Sequence, residues 1–260
     1  MNSFSFTDLF RTNADLFVSI SVSIAAVVFL FYFRKERSLL APVSPLSALT
    51  ALAAGFSFAG ALFLGMEAAG KPEVLLSAYE SVSELFLSGK PSILWISAFF
   101  VTVPLAEELV FRGILQKMIQ DHFGEAAAVL VSVSAFALYG YARDGIPGVP
   151  LCVFSGLFSS LFFLMSESVW PSVFVQIGVR DAFTLLWIRY FLSDKALWAV
   201  SLVSLAMSAL LVYAEYRTSC SSQDSDEEEE EEWEDSEKDE TASGKEGEEE
   251  AVSSQEAGHE

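Results

Sequence analysis

Histidine is nearly absent from this chain, with His122 and His259 the only two in 260 residues. Neither is placed for a histidine-based site: His259 lies close to the end of a polar tail and His122 falls in a loop between apolar segments. Cysteine is as scarce. Cys152 lies in an apolar run and Cys220 in the polar tail, so a structural bridge is not expected, and neither has metal-ligand spacing. A basic leader is missing as well: MNSFSFTDLFRTNADLF carries acidic residues and only Arg11, with no small-residue cleavage signal before RKER at 34–37. The segment reads as the approach to a retained first span rather than a signal peptide. Positive charge is outnumbered, 15 basic residues to 35 acidic. Because 19 of those acidic residues follow Arg217, the deficit belongs mainly to the tail.

What the chain has in abundance is apolar side chains, 52% of the sequence with 23 phenylalanines. That composition predicts an all-α, polytopic transmembrane helical bundle. A crossing helix needs about 20 mostly apolar residues. Seven segments approach that length: Phe17–Phe33, Pro42–Leu64, Pro91–Val110, Ala126–Tyr141, Val149–Met165, Val173–Leu192 and Ala196–Tyr213, the fourth and fifth being short. Between the second and third, Leu75, Tyr79, Val82 and Phe86 recur at helical spacing opposite glutamates, which predicts an amphipathic helix along the interface. The basic cluster Arg34, Lys35 and Arg37 after the first span favours the cytoplasmic side there, leaving the tail inside after seven crossings.

The expected organisation is a transmembrane domain over 1–216 and an acidic tail over 217–260. From about Thr218 almost nothing can be buried, so ordering would cost more entropy than packing returns, and disorder is expected. Such a tail is either a solvated extension or a docking segment for a basic partner. No nucleic-acid partner is expected.

Residues 104–115 read PLAEELVFRGIL, placing Glu107, Glu108 and Arg112 inside a segment otherwise suited to lipid. A charge at the bilayer centre costs from a few to more than about ten kcal/mol, so these groups must face a bundle interior and pair. Glu108 and Arg112 stand four apart, acid before base, on one helical face. Glu107 is rotated by roughly 100° and needs another partner. Arg143 at the end of the fourth segment, and Gln176, Arg180 and Asp181 in the sixth, are the other polar groups at that depth. A single polar centre joining the third, fourth and sixth segments is the economical arrangement.

EELVFRG at 107–113 resembles the EExxxR signature of the CAAX-protease and bacteriocin-processing family of intramembrane proteases, also called the Abi family. HFGEAAAVLVSVSAFALYGYAR at 122–143 is similar to that family's second motif helix and SVWPSVFVQIGVRD at 168–181 to its third, so the resemblance covers roughly 90–190. It implies a membrane-embedded helical fold, in a bacterial cytoplasmic membrane. It also implies a site in which the first glutamate and a second-motif histidine activate water, while a third-motif histidine and asparagine stabilise the oxyanion. Glu107, Glu108 and Arg112 match. Arg143 stands where the second motif has histidine, and Gln176 and Arg180 stand where the third has histidine and asparagine.

Those substitutions weigh against metal and cofactor. Zinc prefers imidazole, thiolate and carboxylate, and carboxylates ringed by permanently charged guanidinium groups suit it poorly. Oxyanion donation is less clearly lost, because Gln176 and Arg180 both carry N–H donors. The expectation is a catalytically degenerate family member that binds membrane segments of partner proteins. An active glutamate-dependent endopeptidase cleaving membrane-associated peptides, and a transporter or channel built on the same polar centre, are the alternatives. For Glu108 with Arg112, the plainer reading is an ion pair that fixes a helix.

Overall fold

The computed structural model describes residues 14–29, 31, 38–70, 98–146, 148–182, 185 and 191–218, and no strand occurs among them. Seven helices are traced in these residues. They are α1 (Ala14–Val28), α2 (Pro45–Ala68), a composite α3 over 98–123, α4 (Glu125–Asp144), α5 (Gly148–Ser166), α6 (Val169–Asp181) and α7 (Asp194–Thr218). Four of them are long and apolar enough to cross a membrane: α2 (24 residues), α4 through Ala142 (18), α5 (19) and α7 (25). At a rise of 1.5 Å per residue these match a hydrocarbon core about 30 Å thick.

The boundaries differ from the sequence expectation in instructive places. The short segments Ala126–Tyr141 and Val149–Met165 extend to full crossing length because polar and glycine ends stay helical. The third segment, expected to stop at Val110, continues to Phe123, so Arg112 lies mid-helix. The sixth begins earlier, at Val169, and its helix ends at Asp181 rather than Leu192. The amphipathic segment around Leu75–Phe86 and the tail from 219 lie outside the described residues. By internal contacts the chain divides into two units, Met1–Glu215 and Tyr216–Glu260, of which the second is described only through Thr218.

Close backbone approach organises the bundle. A Cβ on Gly55 of α2 would overlap the Val175 carbonyl oxygen, and one on Gly178 of α6 would overlap the Leu52 carbonyl oxygen. Glycine at both positions lets α2 and α6 touch backbone to backbone, as small residues do in membrane bundles. Ala51, Ala54, Phe63, Phe158, Phe162, Val175 and Val179 seal the surrounding core. Gly140 does the same between α4 and α5, where an added Cβ would meet Cys152.

The other side of α2 receives α7. Ser201 Oγ donates to Ala61 O at 2.7 Å, and Ser47 Oγ donates to the buried Glu215 carboxylate. Ser44 caps α2 by accepting from the Ser47 N–H at 3.1 Å, with Pro45 at the first helical position, so Glu215 brings negative charge to a helix N-terminus.

The phrase SVWP is a clasp. Ser168 caps α6, and its hydroxyl lies 3.2 Å from Ala41 O, while the Trp170 indole N–H donates to Leu40 O at 3.2 Å. These contacts pin the chain before α2 to the start of α6, which sets the height at which α6 presents its polar residues.

Candidate functional site

α3 is not a uniform helix. α-Helical turns over Val103–Glu108 are flanked by wider, π-helical stretches at Ala98–Thr102 and Leu109–Gln116, and the Lys117 N–H reaches back five residues to Arg112 O. Such widened turns recur at functional sites. The two glutamates therefore sit on a tight segment between two loosened ones.

Glu107 faces α6. Arg180 Nη2 donates to Glu107 Oε2 at 2.7 Å, and both side chains are nearly enclosed. This is the short, charge-assisted contact expected of a well-made buried pair. One helical turn earlier on α6, Gln176 Nε2 donates to Ser159 Oγ of α5 at 3.1 Å.

Glu108 points differently. Arg112 Nε is 3.3 Å from its Oε2, but the two are not aligned for a hydrogen bond. Ser172 and Gln176 approach this carboxylate, yet the Ser172 hydroxyl donates to Val169 O at 2.7 Å and the Gln176 amide to Ser159. Arg112 has its own anchor on α5: Nη2 donates to Gly156 O at 2.7 Å, and the guanidinium carbon lies 5.0 Å from the Phe136 ring centre. Gly156 is what admits it, since an added Cβ would stand 3.3 Å from Nη2 and 3.1 Å from the Phe136 ring.

A turn further along, Gln116 is wholly buried and its Oε1 accepts from Ser160 Oγ at 2.9 Å. Arg112 with Gly156 and Gln116 with Ser160 have the same sequence offset of 44. α3 and α5 are thus parallel and joined by two contacts in register. Sequence reasoning missed Gln116, Gly156, Ser159 and Ser160. The available signal was that Gln116 stands four residues beyond Arg112, on the same face as Glu108.

Of the sequence-derived candidates, Glu107, Glu108, Gln176 and Arg180 come together between α3 and α6, while Arg112, paired with Glu108, turns toward Gly156 of α5 and Phe136 of α4. Arg143 lies in the last turn of α4, and its side chain is outside the described residues. Among the described residues no three His, Cys, Asp or Glu side chains converge to hold a metal. The two carboxylates present face guanidinium groups, a donor set that does not fit zinc. What the arrangement can do is hold buried charge in balance and present amide and guanidinium N–H donors.

These features define a multi-pass helical membrane protein with a charged centre between its helices. Residues 89–180 match the family model described as Rce1-like, Type II CAAX prenyl endopeptidase Rce1-like, so this segment is similar to the CAAX-protease and bacteriocin-processing family that its motifs resemble. The match runs from before Glu107 to Arg180 itself, over about a third of the chain. No curated protein and no solved structure matches the chain.

Proposed function

We propose that this protein is a catalytically degenerate member of the family that holds membrane segments of partner proteins instead of cutting them. The observation that supports this reading is the 2.7 Å contact from Arg180 to Glu107. A general base must offer a lone pair to water, and a permanently charged guanidinium bonded to the carboxylate competes with water for it. Where the resemblance calls for imidazole, the third motif supplies Gln176, which is already bonded to Ser159.

In this reading all seven helices cross or enter a bacterial cytoplasmic membrane, the partner is a membrane protein or peptide, and the acidic tail is a docking segment for a basic partner. The test is incubation of the purified protein with membrane-embedded and prenylated peptides. No cleavage is expected, with or without added zinc. Cleavage that disappears in Glu107→Gln would overturn the proposal.

A second reading, a working glutamate-dependent endopeptidase, draws on the Glu108 carboxylate, whose oxygens have no hydrogen-bond partner among the described residues. Cleavage lost in Glu108→Gln but kept in Glu107→Gln would select it.

A further inference from the structure

Glu108, Arg112 and Gln116 form a row along α3, each four residues from the next, and each is 0% exposed. Five of their polar atoms have no aligned hydrogen-bond partner among the described residues: both Glu108 carboxylate oxygens, which Ser172, Gln176 and Arg112 approach, Nε and Nη1 of Arg112, of which Nε is ion-paired at 3.3 Å, and Nε2 of Gln116. Other buried polar side chains of the bundle have theirs. Ser23 bonds to Ser19 O at 2.8 Å, Ser132 to Phe111 O at 2.9 Å, Ser201 to Ala61 O at 2.7 Å, and Gln176 to Ser159. The orphan atoms are therefore concentrated in one row on one helix.

Buried polar groups almost always find partners, so a contiguous set of two acceptors and three donors specifies its occupant. That occupant must both donate and accept. A metal cation is opposed by Arg112, an anion by Glu108, and an apolar group would leave every orphan atom unpaired. Complete enclosure of all three side chains excludes anything larger than a molecule that slips between packed helices. We infer that the row binds more than one ordered water along Glu108, Arg112 and Gln116, where α3 meets α6 at Glu108 and α5 at Arg112 and Gln116.

A buried water commonly joins two to four polar groups, and this row supplies five orphan atoms. The site is separate from the Glu107–Arg180 contact, where the carboxylate already has its donor. The waters complete the coordination of Arg112, whose Nη2 is bonded to Gly156 O, and of Gln116, whose Oε1 is bonded to Ser160. They also stand in for the hydrogen bond that Glu108 and Arg112 do not make directly. Their role is to keep the second glutamate solvated inside the bundle, whether or not the protein cleaves peptides.

X-ray radiolysis of the full-length protein in detergent tests this, because hydroxyl radicals formed at a bound water oxidise the side chains beside it even when they are buried. Phe136, stacked over Arg112 and 2% exposed, should be oxidised several-fold faster than the equally buried Phe63 and Phe162. In Gln116→Met, which removes the amide at similar volume, that excess should fall toward the level of the two controls. Equal oxidation of the three phenylalanines in the unaltered protein would overturn the inference, as would an undiminished excess in Gln116→Met. Should that variant fail to fold, a structure of the unaltered protein resolving ordered solvent decides. Density within hydrogen-bonding reach of Gln116 Nε2 and Glu108 supports the site, and side chains swung into direct contact with one another refute it.

Discussion

Glu107 and Glu108 are adjacent in sequence and identical in chemistry, yet the bundle treats them as opposites. Glu107 takes a guanidinium from another helix at 2.7 Å, so its partner is fixed by tertiary packing. Glu108 has a guanidinium from its own helix at 3.3 Å and out of line, so its partner is fixed by local sequence. A buried pair formed across helices depends on how those helices dock, whereas an i, i+4 pair travels with its helix. The Glu107 half of the centre is therefore the half that reports on the fold.

The sharpest way to break this comparison is a double-mutant cycle. Glu107→Gln and Arg180→Met should each lower unfolding stability in detergent by about 3–5 kcal/mol, since each leaves a buried charge alone, while the pair together should cost far less. A matching cycle on Glu108→Gln and Arg112→Met should show weaker coupling, because Arg112 is also held by Gly156 and Phe136. Equal coupling in the two cycles would erase the distinction.

A smaller effect should come from packing. Gly178→Ala forces a methyl into the Leu52 carbonyl, and overpacking of this kind costs about 1–3 kcal/mol. It should weigh on the Glu107 half, and its penalty should shrink in an Arg180→Met background if pushing α6 away mainly stretches that contact. Arg112→Lys keeps the charge but loses the bond to Gly156 O and the ring contact, with an expected loss of about 1–2 kcal/mol by thermal denaturation. The mildest should be Ser159→Ala, which removes the acceptor for Gln176 and costs about 1 kcal/mol. A larger loss there would show that Gln176 does more than tie α6 to α5.

The halves also differ in how far the sequence betrayed them. Helical period alone placed Glu108 on the face of Arg112, and the cost of buried charge required Glu107 to find a cation elsewhere. It did not choose between Arg143 and Arg180. That choice depends on α6 being drawn onto α2 through Gly55 and Gly178 and pinned by Ser168 and Trp170, a matter of approach distances that no spacing rule carries. Gln116 was hidden for another reason. The third segment was expected to end at Val110, which left Gln116 outside it, when the helix continues in a widened form. Ser159 and Ser160 carry no spacing signal of their own, because their roles come from partners on α6 and α3.

Glu107 with Arg180, Gln176 with Ser159, and Gln116 with Ser160 connect α3 to α6, α6 to α5, and α5 back to α3. Mechanically this is a truss: three rods cross-braced pairwise cannot shear past one another unless a brace snaps. Whatever pliancy the molecule needs in order to admit a neighbour must then be sought in the rods outside the frame. Of these, α7 exposes Trp198, Leu202, Val203, Leu205 and Leu210 and is the least buried of the four helices of crossing length.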